Sequence, residues 1–169
     1  MSSISIIAYR EGALHIPGWP PLRAAIGKSG LTADKHEGDN QTPIGSFLCR
    51  ELWYRPDRVQ LPEGVRLPAR AITPADGWCD DASHAEYNRH ITLPHPARHE
   101  KLWRDDHVYD LMIPLGYNDE QIVPGKGSAI FWHLAHEDWR GTEGCIAITR
   151  EDMLALIARV DRNTLMIVG

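Results

Sequence analysis

The chain has 169 residues, 43% of them hydrophobic, and a formal net charge of −5. That length suits one domain with a single core, read as residues 1–169, and the apolar content excludes wholesale disorder. The acidic balance argues against a nucleic-acid partner, since no basic excess exists to neutralise phosphates, and no run of eighteen apolar residues supplies a membrane span.

The opening segment, MSSISIIAYREGALHI, has no basic start, and its apolar stretch from Ile4 to Ala8 is too short for a signal-peptide core. With Met1 as the natural start the protein is expected in the cytoplasm, or in the periplasm if a leader has been removed. Residues 3–9 and 13–16 flank Glu11-Gly12 and predict a β-hairpin. Residues 22–26 predict a short strand ending in GKSG, and 45–54 a longer one after the turn-rich EGDNQTP. The stretch 55–100 reads as irregular and dense in Pro, Asp and His; connections of that length are usually lids or binding walls. Residues 96–103 are expected to form a short helix with Pro96 at an early position. Strands follow at 108–115, 129–135, 145–148 and 164–168. Between the last two lies a clear helix. Thr149 caps it, Asp152 sits at its third position, and Met153, Leu156, Ile157 and Val160 repeat at helical spacing. Many short strands with one helix predict a mainly β fold, a sandwich or barrel-like arrangement.

Two of those strands carry chemistry. In FWHLAHEDWRGTEGCIAI, His133 lies in one apolar run and Cys145 opens another twelve residues later. A nucleophilic cysteine works as thiolate, and its ordinary pKa of about 8.5 is usually lowered by a nearby imidazole. If the two segments are neighbouring strands, the loop 136–144 brings thiol and imidazole together. Backbone N–H groups around Gly144 and Cys145 are then placed to bind an oxyanion, and Thr142 offers a hydroxyl. The other two cysteines read differently. Cys49 sits inside an apolar strand, and Cys79 stands beside Asp80 and Asp81, whose charge raises a thiol pKa.

The cysteine segment resembles the active-site motif of the YkuD family, the L,D-transpeptidase catalytic domain. That motif is a histidine, a loop, then Ser/Thr-x-Gly-Cys and an apolar residue, matched here by His133 and Thr142-Glu143-Gly144-Cys145-Ile146. A second family feature, a glycine followed by Thr-Pro-x-Gly-x-Phe, is matched from Gly38 through Thr42-Pro43-Ile44-Gly45-Ser46-Phe47. The helix after the cysteine strand and the closing strand TLMIVG also fit, so the resemblance runs from about Ile4 to Val168. It implies a YkuD-like β-sandwich of mixed sheets. Three positions depart from the pattern. Glu143 stands where many members have His, Ala147 where many have Arg or Asn, and Leu134 where many have Gly after the histidine. They touch the substrate-positioning shell, where Arg140 or Arg150 is the candidate replacement cation.

The resemblance implies a reaction on peptidoglycan stem peptides, with no cofactor. Cys145 attacks the carbonyl of the L-centre of the third, diamino residue and expels D-Ala; His133 carries the proton; an acyl-enzyme follows. Substrate contacts are expected from Trp132, Glu143, Arg140 and Arg150 near the motif, and from Asp81, Tyr87 and Asn88 in the long wall region. Water as acceptor makes an L,D-carboxypeptidase of wall recycling; an amine makes an L,D-transpeptidase forming cross-links. The first is favoured. Carbapenem acylation of Cys145 is a further implication. Two rivals stand beside this reading. His133-x-x-His136 with Cys145, or His95-x-x-x-His99, offers zinc-type ligands among nine histidines, though without HExxH or CxxC spacing. A non-enzymatic muropeptide-binding module has no need of the Cys–His pair.

Overall fold

The computed structural model describes residues 2–169. Its elements are β1 (Ile6–Arg10), β2 (Ala13–His15), β3 (Leu22–Arg23), β4 (Leu31–Thr32), β5 (Thr42–Pro43), β6 (Gly45–Leu48), β7 (Leu52–Tyr54) and β8 (Ala69–Ala71). They continue with β9 (Asp76–Cys79), β10 (His90–Thr92), β11 (His99–Lys101), β12 (Leu111–Pro114), β13 (Phe131–Leu134), β14 (Ile146–Ile148), α1 (Arg150–Ile157) and β15 (Leu165–Val168). Two five-stranded sheets, ordered β3-β2-β1-β15-β6 and β14-β13-β12-β7-β8, form the body. Both are mixed: β1 runs parallel to β15 and β13 parallel to β14, among antiparallel neighbours. The fold is therefore mainly β with one helix, as the sequence predicts.

Local chemistry explains the pieces. Glu11 and Gly12 both have positive φ, 50° and 82°, the geometry of a two-residue turn that matches strand twist, so β1 and β2 close as a hairpin. The predicted strand 45–54 is two strands: β6 belongs to the first sheet and β7 to the second. Cys49 sits at the crossing, fully buried, and bridges Leu115. The Thr149 hydroxyl accepts the Asp152 amide at 3.1 Å and caps α1. The helix stops at Ile157; Val160, placed on its face by spacing, lies past its end but is still buried.

One core cluster lies between the two sheets and α1. It takes Ile7, Leu14, Phe47 and Met166 from one sheet, Trp132, Leu134, Ile146 and Ile148 from the other, and Met153, Leu156 and Ile157 from the helix. A second cluster, with Trp53, Met112, Tyr109 and Phe131, covers the opposite face of the second sheet. Each large apolar side chain buried this way contributes about 1.5–3 kcal/mol.

Two expectations for the middle of the chain are corrected. Residues 55–100 are not wholly irregular: β9, β10 and β11 form a three-stranded antiparallel sheet ordered β10-β9-β11. Residues 96–103 are not a helix. His99, Glu100 and Lys101 pair with Cys79, Trp78 and Gly77, and only Ala97 and Leu102 of this stretch are fully buried, which gives no apolar face at helical spacing.

Candidate active site

Strand alternation decides what the second sheet offers. Trp132 and Leu134 point into the core between the sheets, so Phe131 and His133 point to the other face. Parallel pairing sets His133 opposite Ala147, which places Cys145 opposite Phe131, two residues away on the same face. With strands about 4.8 Å apart and about 3.3 Å rise per residue, the Cα atoms of Cys145 and His133 lie roughly 8 Å apart on the diagonal. Both side chains line one cavity of about 460 Å³, with Tyr109, Glu100, Thr142 and Glu143.

The sulfur is held at rest as a thiol. Cys145 Sγ donates to the Ala129 carbonyl at 3.2 Å and accepts the Phe131 amide at 3.3 Å. Burial pushes its pKa up, and the nearby charge of Glu100 adds to the rise. His133 Nδ1 lies 2.8 Å from the Leu134 carbonyl. A carbonyl only accepts, so Nδ1 carries the proton and Nε2 is left with its lone pair free to act as base. Burial pulls the imidazole down to about 4. Desolvation thus works against both members of a thiolate–imidazolium pair and favours the neutral thiol and imidazole in the free protein.

The turn before the cysteine is braced from two sides. The Thr142 hydroxyl accepts the Gly144 amide at 3.1 Å and donates to the Cys145 carbonyl at 2.6 Å. The Gly144 N–H is thus occupied, which leaves the Cys145 amide, without a partner among the described residues, as the unpaired backbone donor at this turn. Gly144 has φ +142°, and a Cβ there would stand 2.8 Å from the Gln41 carbonyl oxygen, so only glycine fits. From the other side comes Thr42, of the Thr-Pro motif. Its hydroxyl donates to the Gly144 carbonyl at 2.8 Å and accepts the Gly27 amide at 2.8 Å. The two motifs, 102 residues apart, are one mechanical unit. Thr42→Val keeps the shape but leaves two buried backbone groups unpaired, each costing about 1–3 kcal/mol. Thermal unfolding is expected to show that loss, where an unchanged melting temperature would refute the brace.

Of the remaining predicted residues, Glu143 and Arg140 line the cavity. Trp132 does not: it is fully buried in the core, and its indole N–H finds no partner. Tyr87 is buried too, donating to Glu37 at 2.8 Å and accepting the Gly127 amide. Asn88 is a brace. Its side-chain oxygen accepts from Trp78 and from the Ala129 amide, both at 3.0 Å, which fixes the residue whose carbonyl accepts the hydrogen bond of the thiol. Asp81 binds Ser83, and Arg150 pairs with buried Asp110; neither reaches the cavity. His95 meets His84 edge to face, ring centroids 5.0 Å apart, instead of sharing a helix face with His99. The sequence reading passed over Glu100, Tyr109 and Lys35. Lys35 pairs with Asp39 beside the Gln41–Gly144 contact. Tyr109 sets its ring edgewise to His133, centroids 5.3 Å apart, and gives its hydroxyl to Glu100.

A family model for the L,D-transpeptidase catalytic domain (YkuD) matches residues 6–168. A search of curated proteins finds no match. Among solved structures, Bd1075 of Bdellovibrio bacteriovorus superposes with a TM-score of 0.53 at 15% identity, over 99% of this chain and 48% of that one. L,D-transpeptidase 1 of Mycobacterium tuberculosis gives a TM-score of 0.43 at 12% identity, over 99% of this chain and 61% of that one. The chain thus spans about half to three-fifths of these proteins, and at such identities the likeness to Bd1075 is one of fold.

Proposed function

This chain belongs to the YkuD family of L,D-transpeptidase catalytic domains, and from that premise we propose that Cys145 is its nucleophile and His133 its general base. The observation that carries the reading is the shared cavity, with Nδ1 of His133 tied to a backbone carbonyl and Nε2 left to face it. The substrate is a peptidoglycan tetrapeptide. As Sγ attacks the carbonyl of the third residue, its S–H bond breaks, the hydrogen bond to the Ala129 carbonyl is given up, and the proton passes to Nε2 of His133. The Cys145 amide steadies the tetrahedral oxyanion. Collapse returns that proton to the amine of D-Ala, which departs and leaves a thioester on Cys145.

Water is the proposed acceptor, which makes the enzyme an L,D-carboxypeptidase. The alternative acceptor, an amine of a second stem peptide, would make it an L,D-transpeptidase. The test is to supply a tetrapeptide with and without a second peptide bearing a free amine, and to weigh the products. Release of D-Ala with a tripeptide as sole partner product supports hydrolysis. A joined product means transpeptidation, and no product at all removes the reading.

A further inference from the structure

Ion pairing within the cavity is uneven. Arg104 binds Asp106 at 2.7 and 2.8 Å, Lys35 binds Asp39, and Asp80 has Arg98 at 3.1 Å. Glu37, Glu100 and Glu143 have no cation within ion-pair distance among the described residues, and Lys28, which also lines the cavity, pairs with none of them; Glu37 instead takes the hydroxyls of Tyr87 and Ser128. Glu143 is exposed, and charge there is screened by water. Glu100 is different. It projects from β11 opposite Trp78, and one carboxylate oxygen accepts the Tyr109 hydroxyl. Tyr109 in turn packs on His133 and on Phe131, whose amide holds Cys145 Sγ. The second oxygen has no partner among the described residues.

We propose that Glu100 is a specificity-determining residue: its carboxylate receives a cationic group on the substrate's side chain, the ion-pair partner that no side chain of the fold supplies to it. An ionised Glu100 in this poorly solvated pocket opposes negative charge on the sulfur. A bound ammonium cancels that opposition, so a cationic substrate both fits the site and eases attack. The inference rests on the proposed reaction, in which the third residue of the stem peptide is a diamino acid with a spare amine. The groups facing Glu100 are Tyr109 and Arg104 from the segment before β12, Asp80 from the end of β9, and Glu143 from the cysteine loop. Burial raises Glu100 to about 7, the Tyr109 hydrogen bond and Arg104 lower it, and Glu143 and Asp80 raise it further. Glu100 therefore gains its charge as pH rises through neutrality.

Binding tests this without turnover. The Cys145→Ala protein is titrated calorimetrically with two tetrapeptides, one with the third-residue side-chain amine free and one with it acetylated. At pH 8 the free amine is expected to bind at least about tenfold more tightly, and the ratio should approach one below pH 6, where Glu100 is protonated. Adding Glu100→Gln should abolish the ratio at both pH values; Tyr109→Phe, which keeps the ring and deletes the hydroxyl, should reduce it. Equal binding of the two peptides at pH 8, a ratio that survives Glu100→Gln, or binding of neither peptide overturns the proposal. Should the ratio hold while the Cys145-bearing protein releases no D-Ala, the reaction falls and the role of Glu100 in binding stands.

Discussion

Cys145→Ala is expected to abolish D-Ala release, with at least about a thousandfold loss in kcat/KM. Nothing else in the cavity offers a comparable nucleophile, and the remaining thiols are elsewhere. Cys49 lies in the core between the sheets with its pKa pushed up to about 12, and Cys79 is packed with Ile91 and Ala97. Cys49→Ala and Cys79→Ala should keep most activity and lose only about 1–2 kcal/mol of stability to the vacated volume. His133→Gln should cost about 10²–10⁴-fold, the usual worth of a positioned general base. Because thiol and imidazole act as a unit, the double variant should be barely worse than Cys145→Ala alone. The same variant should fail to form a mass adduct with a carbapenem. Robust turnover by Cys145→Ala would remove the sulfur from the chemistry.

The second large effect concerns protons. Iodoacetamide at pH 7 should label Cys145 of the free protein at least about tenfold more slowly than an exposed thiol, whose pKa is about 8.5. The rate should climb without a plateau through pH 9. The sign follows from burial: removing water penalises the thiolate, which raises the cysteine, and penalises the imidazolium, which holds His133 near 4. At neutral pH the imidazole is therefore an unprotonated base and the sulfur keeps its hydrogen. A preformed ion pair predicts the opposite profile, fast labelling that is already flat at pH 6. Mass spectrometry of the labelled peptide, read across pH, separates the two.

Much of this was legible in the sequence. The Glu11-Gly12 turn, the strands carrying His133 and Cys145, and the capped helix follow from local chemistry that the fold does not override. Strand alternation was equally legible, and applied to residues 131–134 it assigns Trp132 and His133 to opposite faces, so only one of the two can line the cavity. The middle of the chain was harder. β9, β10 and β11 are three or four residues each, too short to show a period, and they exist because they pair with one another. Glu100 carried no signal at all, since a lone carboxylate after a histidine is ordinarily solvated. Only the pairing of β11 with β9 brings it to Tyr109. Asn88 illustrates a middle case: its type suits a turn, and its positive φ of 56° bears that out, but the four hydrogen bonds that tie it to Trp78, Ala129, Tyr117 and Asn118 come from distant segments.

The bond from Cys145 Sγ to the Ala129 carbonyl has a consequence for chemical durability. Peroxide oxidises cysteine through its anion, first to sulfenic acid and then irreversibly beyond it. A sulfur that keeps its hydrogen against a backbone oxygen, and gives it up only when an acyl carbonyl arrives, presents little of that anion to passing oxidants. Peroxide should therefore oxidise Cys145 of the free protein more slowly than an exposed thiol, which protects the sulfur for its proposed role between substrates.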